Sequence, residues 1–233
     1  MTEGYYMDWI KINDTTFSYK DMGVRFFLLI GTEYALLIDS GMKTENAKEL
    51  AAQVTSQPVK LFNTHADPDH IAGNGAFDEV MMNPAELVNY PKPHTSQNIL
   101  PVYDGDIIDI GNRPLKAIAL PGHTPGSTAL LDINSGMLFS GDPVQDGKIF
   151  MFGPLRDLSA YILSLKRLLT FSDEITVIYP CHGNCPVGKE IIPKLIDGAE
   201  CIERGEAASK PVEFFGNKAA AYDIGTAVLL CDE

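Results

Sequence analysis

The feature of this sequence that most restricts its fold is a set of four polar loops, each of which directly follows a predicted β-strand. The loops are NTHADPDHIAGN (63–74), PGHTPGS (121–127), SGDP (140–143) and PCHGN (180–184). They contain four of the five histidines of the chain, together with several aspartates. A lone histidine is usually a surface or hydrogen-bonded residue, but sheet proteins place functional groups at strand ends. We therefore interpret the four loops as parts of one functional site.

The apolar pattern predicts short strands separated by a few helices. The first series is a hairpin of Val24 to Ile30 and Tyr34 to Asp39, a helix over Glu45 to Val54 and a strand over Val59 to Phe62. The second series has strands at Leu115 to Leu120, Ser127 to Leu131, Met137 to Ser140, Ile175 to Tyr179 and Tyr222 to Leu230, and helices at Ser159 to Leu169 and Gly188 to Arg204. Two such series indicate two similar halves of a single domain (1–233), in which helices cover the outer faces of two sheets.

Charge and composition exclude several classes of function. The chain has 233 residues, with 31 acidic and 18 basic side chains and a net charge of −13. This balance argues against nucleic acid or an anionic membrane surface as a partner. We expect no export signal and no membrane-spanning helix, and all four cysteines lie in the last quarter of the chain. These features predict a cytoplasmic protein with reduced thiols.

The residue types in the first polar loop predict a metal site. Residues i and i+2 of an extended segment point the same way, so His65 and Asp67 can bind one ion. Asp69 and His70 lie further round the turn and can face a second ion. Imidazole and carboxylate together suit zinc, iron or manganese.

The motifs HADPDH, PGHTPGS, SGD and PCHG, in this order and at these intervals, resemble those of the metallo-β-lactamase superfamily of hydrolases. LLIDSGM (36–42) and VYDGDIIDIG (102–111) are also similar to that family. The resemblance covers roughly residues 24 to 190. It implies an α+β fold, a four-layer αβ/βα sandwich of two mixed β-sheets flanked by helices, with a dinuclear metal site along one edge of the sheets.

The same resemblance implies a role for each residue of the loops. By position, His65, Asp67 and His123 would bind the first metal, and Asp142 would bridge both metals. The second metal would be bound by Asp69, His70 and His182.

The chain departs from the usual family pattern at one ligand. The usual motif is His-x-His-x-Asp-His, whereas Asp67 takes the place of the second histidine here. Two divalent ions, three carboxylates and one bridging hydroxide sum to zero charge, whereas the usual pattern would give +1. A harder oxygen ligand and a less positive site favour iron or manganese over zinc alone. Flavodiiron members of the superfamily likewise have a carboxylate, Glu, at this position.

The resemblance implies a metal-dependent hydrolase that acts on an ester or thioester, similar to glyoxalase II. A hydroxide held between the metals would attack the substrate, and Asp69 would orient it and hand a proton to the leaving group. Only about 50 residues follow His182, which disfavours glutathione thioesters. A lactonase or phosphodiesterase of the same superfamily is an alternative. So is a diiron redox or oxygen-handling protein, which Asp67 alone supports, and a non-catalytic metal-binding module.

Other residues near these motifs have weaker assignments. Asp39 is expected to hold loop backbone near the site, and His94 to face solvent, although its loop could approach the pocket. The segment 150–152 is either core or an apolar wall for substrate. Cys181 is expected to be a buried structural thiol rather than a redox partner of Cys185.

Overall fold

The first sheet is built from the N-terminal strands in their chain order. The computed structural model describes residues 8–91, 97–214 and 216–233, and the first sheet accounts for seven of the described strands. These are β1 (Trp9–Asn13), β2 (Thr16–Asp21), β3 (Val24–Ile30), β4 (Ala35–Ile38), β5 (Val59–Phe62), β6 (Glu79–Met82) and β7 (Asn98–Pro101). The strands from β1 to β4 pair antiparallel, and those from β4 to β7 pair parallel.

Two further mixed sheets follow. The second has the spatial order β13 (Val177–Pro180), β11 (Met137–Gly141), β10 (Thr128–Asp132), β9 (Pro114–Ala119) and β8 (Ile107–Asp109). The third has the order β12 (Lys148–Met151), β16 (Val228–Cys231), β15 (Asn217–Asp223) and β14 (Lys210–Phe214). The α-helices of the described chain are α1 (Ala47–Ala52), α2 (Leu158–Leu169) and α3 (Ile191–Glu203), and short 3-10 helices span Ala72–Ala76 and Pro84–Val88.

Side-chain alternation in the strands determines how the layers stack. In β3, Phe26 and Leu28 pack towards α1, whereas Phe27 and Leu29 pack towards the second sheet. On the far face of the second sheet, a third core cluster joins its strands and the third sheet to α2 and α3. The order of layers is helix, sheet, sheet, helix, which confirms the predicted α+β sandwich. None of the described helices is long and apolar enough to cross a membrane.

The structure differs from the sequence prediction at the C-terminus. Tyr222 to Leu230 was predicted as one strand, but β15 ends at Asp223 and β16 begins at Val228. The Asp223 carboxylate accepts a hydrogen bond from the Gly225 amide at 2.9 Å, and Gly225 has a positive φ of 80°. This turn reverses the chain and creates the third sheet, which the prediction of two sheets omitted. Helix α1 is also shorter than predicted, because the backbone N–H groups of Gln53 and Val54 bond three residues back.

The strand directions bring the polar loops to one edge of the sandwich. Strands β4 and β5 run parallel in the first sheet, and β9, β11 and β13 run in one direction in the second. Within each sheet these carboxyl ends lie at one edge, and backbone hydrogen bonds bring the two edges together. There the Thr128 amide donates to the Thr64 carbonyl at 2.9 Å, and the Arg25 amide donates to the Cys181 carbonyl at 2.8 Å. These bonds tie the two sheets together where the site forms.

Gly122, which precedes His123, provides a test of this packing. Its φ is +135°, and a Cβ added there would lie 2.4 Å from the backbone of Tyr161 in α2. We predict that Gly122→Ala lowers the free energy of unfolding by about 3 kcal/mol, because backbone strain and a steric clash act together. Gly153→Ala is the matched control, since Gly153 has φ +97° but open space around it, and should cost only about 1 kcal/mol. Equal losses in urea unfolding would contradict the close approach of α2.

Candidate metal centre

The four histidines of the polar loops direct the same ring nitrogen towards a common centre. Each Nδ1–H donates to an oxygen outside the centre, and the pairs are His65 with Thr64 Oγ1 (3.0 Å), His70 with Asp39 Oδ2 (3.0 Å), His123 with the Phe150 carbonyl (2.8 Å) and His182 with the Gly23 carbonyl (2.9 Å). These acceptors hold the proton on Nδ1 and leave every Nε2 to act as a ligand.

Two aspartates accompany these imidazoles in two separate groups. Asp67 Oδ2 lies 3.6 Å from His65 Nε2 and 3.3 Å from His123 Nε2. Asp69 Oδ2 lies 3.1 Å from His182 Nε2 and 3.7 Å from His70 Nε2. The structure thus divides the predicted residues into the same two groups that the family resemblance implied.

Asp142 lies between the two groups. Its Oδ2 is 3.6 Å from His123 Nε2, and its Oδ1 is 3.3 Å from His70 Nε2 and 3.5 Å from His182 Nε2. One carboxylate therefore faces both groups, one oxygen to each. All seven residues predicted as metal ligands are brought together at this edge of the sandwich.

Two buried atoms indicate that the centre suits cations. His70 Nε2 and Asp142 Oδ1 are fully enclosed, and neither has a hydrogen-bond partner among the described residues. A buried polar atom without a partner costs free energy. Imidazole nitrogen and carboxylate oxygen both carry lone pairs that a divalent transition-metal ion would accept. The residues present therefore fit divalent metal ions.

The pKa values within the centre also indicate that it suits positive charge. Burial alone would raise the pKa of Asp142, but His182 and His70 outweigh it and hold the pKa well below its usual range. Burial would lower the pKa of His70, but Asp142, Asp69 and Asp39 raise it well above its usual value. The pKa of His182 is also raised, because Asp142 and Asp69 outweigh the opposing effect of burial. Without a metal, protons on these imidazoles supply the positive charge that the buried carboxylates require.

Asp39 supports both groups from behind. Its Oδ1 accepts from the Thr64 amide at 2.8 Å, and its Oδ2 accepts from the Thr64 hydroxyl at 2.8 Å and from His70. The Cys181 thiol also donates to Oδ2, at 3.4 Å, and burial raises the pKa of this thiol. Asp39 therefore holds loop backbone, and Cys181 is a buried structural thiol, as expected for both. Cys181 and Cys185 form no disulfide.

Glu86 joins two of the polar loops, a role that no motif in the sequence indicates. Its fully buried carboxylate accepts from the Ala66 amide at 2.8 Å and from the Gly126 amide at 2.6 Å. Gly126 leaves room for this contact, because a Cβ there would lie 2.9 Å from Glu86 Cγ. Glu86 thereby sets the spacing between the loops that carry His65 and His123.

Asp67 also has two partners that no sequence motif indicates. Asn89 Nδ2 donates to Asp67 Oδ1 at 2.8 Å, and Arg156 Nη2 donates to Asp67 Oδ2 at 2.6 Å. Arg156 adds one positive charge that the earlier count omitted. The net charge of a site loaded with two divalent ions and a hydroxide would therefore rise from zero to +1, the value that the usual family pattern gives. The predicted consequence of a less positive site therefore loses its basis, although Asp67 remains a harder ligand than histidine.

Comparisons with known proteins identify the family. The family model of the metallo-beta-lactamase superfamily matches residues 21–182, a span that includes all four polar loops. The chain belongs to the metallo-β-lactamase superfamily. Its predicted class, a metal-dependent hydrolase of that superfamily, is confirmed.

Named relatives of this superfamily member differ in their activities. The human acyl-coenzyme A thioesterase MBLAC2 is 28% identical over 204 residues, covering 68% of this chain and 72% of that protein. The human mitochondrial persulfide dioxygenase ETHE1 is 28% identical over 128 residues, covering 53% of this chain and 50% of that protein.

Solved structures share the fold. The metallo-beta-lactamase from Pontibacter korlensis matches with a TM-score of 0.68 at 21% identity, over 83% of this chain and 98% of its own. The inverting sec-alkylsulfatase Pisa1 from a Pseudomonas species matches with a TM-score of 0.72 at 12% identity, over 85% of this chain and 42% of its own.

The remaining candidate residues lie around the centre or outside the described chain. His94 lies outside the described residues. In the segment 150–152, Met151 is buried in the core, whereas Phe150 in β12 and Phe152 just after it are half-buried. The Phe150 ring centroid lies 5.7 Å from that of Phe152 and 5.6 Å from that of Phe214. The core expectation thus holds for Met151, because adjacent residues of a strand face opposite sides, and an apolar wall for substrate stays a prediction for Phe150 and Phe152.

Protonation predicts how metal and pH act together on stability. Because the pKa values of His70 and His182 are raised, their contribution to stability in metal-free protein is complete below about pH 6.5, their unfolded value, and is lost as pH rises further. Metal must displace these protons, so the stabilisation that bound metal provides should grow as the pH rises over the same range. We predict that raising the pH from about 6 to 9 lowers the Tm of chelator-treated protein and widens its gap to metal-loaded protein. A difference in Tm that narrows with rising pH would contradict the protonation of His70 and His182 in metal-free protein.

Glu86 predicts a link between loop spacing and metal affinity. Glu86→Gln places an amide N–H against one of two buried backbone N–H groups, so we predict a loss of about 1–3 kcal/mol in unfolding free energy. Metal affinity should fall about tenfold, since the loops of both groups move. Urea unfolding and chelator competition measure the two effects. The exposed Glu79→Gln is the control and should change neither, and unchanged metal affinity in Glu86→Gln would count against the role of Glu86.

Proposed function

We propose that this chain uses two divalent metal ions to hydrolyse an ester or thioester, with zinc, iron or manganese as the ions. The observation that carries the proposal is the Asp142 carboxylate, whose two oxygens face two different groups of imidazoles. A carboxylate so placed suits a ligand shared by two cations. His65, Asp67 and His123 would hold the first ion, and the second would be held by Asp69, His70 and His182.

The metals and the protein would contribute different parts of the chemistry. Bound there, two such ions would lower the pKa of a shared water and polarise the acyl carbonyl of the substrate. Asp69 is the catalytic residue of this proposal. Its side chain is 29% exposed, compared with 16% for Asp67 and 6% for Asp142, so Asp69 has the most access to substrate. From that position it would orient the attacking water and pass a proton to the leaving group.

The preference for acyl substrates rests on two observations. The human relative MBLAC2 bears the name of an acyl-coenzyme A thioesterase. The aromatic cluster of Phe150, Phe152 and Phe214 begins at the residue whose carbonyl holds His123, which suits an apolar acyl or aromatic portion of a substrate beside the first ion. We further propose a small-molecule substrate and a cytoplasmic location, with no nucleic acid or membrane partner.

Metal content tests the dinuclear proposal. We predict close to two transition-metal ions per chain by elemental analysis of protein made with metal available. Asp142→Asn should reduce the occupancy of both sites and lower activity by more than about 100-fold, because it weakens a ligand common to both. Asp104→Asn, at an exposed ion pair with Arg167, is the control and should retain two ions. One ion or none in active wild-type protein would contradict the proposal.

A substrate panel tests the reaction class. We predict that aryl thioester or ester hydrolysis exceeds that of a phosphodiester with the same leaving group, and that acyl-coenzyme A thioesters are also cleaved. Lactones belong in the same panel. Faster phosphodiester cleavage by metal-loaded protein would overturn the substrate proposal and leave the metal proposal standing.

A redox function is the second candidate. The relative ETHE1 bears the name of a persulfide dioxygenase, and Asp67 supplies a hard oxygen ligand. Oxygen consumption by the iron-loaded protein with a persulfide substrate, without hydrolysis of any acyl substrate, would favour this function over the hydrolase.

A further inference from the structure

The contact between Asp67 and Arg156 is distinct from ordinary surface ion pairs. The two side chains are only 16% and 12% exposed, and Nη2 to Oδ2 is 2.6 Å. Exposed ion pairs contribute little to protein energetics, whereas a buried charge needs its partner. The pair lies within the metal centre, because the same Oδ2 atom is 3.3 Å from His123 Nε2.

Both oxygens of Asp67 are held from outside the centre. Asn89 binds Oδ1, and Arg156 binds Oδ2. A carboxylate oxygen has two acceptor positions, so Oδ2 can accept from the guanidinium with one and face the imidazoles with the other. The two donors thus fix the orientation of a side chain that is shorter than histidine and has a different shape.

Arg156 is itself fixed in place by the chain around it. Its amide donates to the Gly153 carbonyl at 3.2 Å, and the next residue, Asp157, caps the start of α2 by accepting from the Ala160 amide at 2.8 Å. The Asp157 amide donates to the Gly122 carbonyl at 2.8 Å, next to the ligand His123. The segment that carries Arg156 is therefore anchored to one of the metal loops.

We propose that Asp67 and Arg156 act as one unit that replaces the neutral imidazole of the usual family pattern at the first metal position. Arg156 is a positioning residue in this unit. It cancels the charge of Asp67 and aims Oδ2 at the first ion, so that an anionic oxygen ligand is used without a change in the total charge of the site. This inference rests on the proposed two-metal function.

The unit makes a prediction that neither residue makes alone. A neutral residue at position 67 leaves the buried guanidinium without an anionic partner and the site one charge more positive. The loss of metal affinity should then be partly reversed by removing the charge of Arg156. If Arg156 only supports the fold, its removal should act independently of residue 67.

Two double-mutant cycles test this coupling, with zinc and manganese affinity measured by competition with a chromophoric chelator. One cycle combines Asp67→His with Arg156→Gln. The other combines the isosteric Asp67→Asn with Arg156→Gln. This second cycle tests the same coupling if the histidine variant does not fold. Circular dichroism melts of chelator-treated protein establish that each variant is folded, and Arg156→Lys tests a retained charge. Arg167→Gln, which breaks an exposed pair with Asp104, is the matched control.

We expect each Asp67 variant to lower zinc affinity at least 100-fold, and added Arg156→Gln to regain at least tenfold. In the wild-type background Arg156→Gln should change affinity less than tenfold, and Arg156→Lys less than that. Asp67→His should also raise the ratio of zinc to manganese affinity, whatever the absolute loss. Equal effects of Arg156→Gln in all backgrounds, or equal recovery with Arg167→Gln, would overturn the unit. Failure of wild-type protein to bind two ions would instead overturn the proposed function.

Discussion

The buried carboxylate of Asp39 is the contact on which the rest of the site depends. Asp39 follows β4, yet it bonds to Thr64 after β5, to His70 further along the same loop, and to Cys181 after β13. It has a φ of +62° and is fully buried, so its backbone adopts a conformation that non-glycine residues rarely occupy. The bonds to three loop segments hold it there. One side chain thereby joins strand ends from both sheets and sets the tautomers of His65 and His70.

A second constraint is the charge gathered at this edge. Asp67, Asp69 and Asp142 lie among four imidazoles in a mostly enclosed space, where isolated charges are costly. In metal-free protein the carboxylates raise the pKa values of His70 and His182, which favours protonated imidazoles. Metal ions would take over that role, which is why folding, protonation and metal binding should be linked in this protein. Arg156 belongs to the same charge balance, since its guanidinium pairs with Asp67, the candidate ligand at which the HADPDH motif differs from the usual family pattern.

Much of the candidate site was predictable from the sequence because each candidate ligand lies in a loop that follows the carboxyl end of a strand. The predicted strand Val59–Phe62 coincides with β5, and the strands before His123, Asp142 and His182 lie within two residues of their predicted bounds. Residue type and spacing suggested that His65 pairs with Asp67 and Asp69 with His70, and the resemblance to the family supplied the grouping of all seven candidate ligands. The third sheet was not predictable in this way, because the segment YDIGTAVLL (222–230), predicted as one strand, turns at Gly225 and divides into β15 and β16.

The sequence by itself determined the family, the layer order and the candidate ligands, since all three depend on the order of short motifs and strands along the chain. Only the tertiary structure decided what supports those ligands. Glu86 reaches an amide 40 residues away in the chain, and Arg156 pairs with a carboxylate 89 residues away. A carboxylate at position 67 calls for a nearby cation, but nothing in the order of residues indicates which of the 18 basic side chains supplies it. Charge compensation depends on distance through space, and folding alone determines that distance.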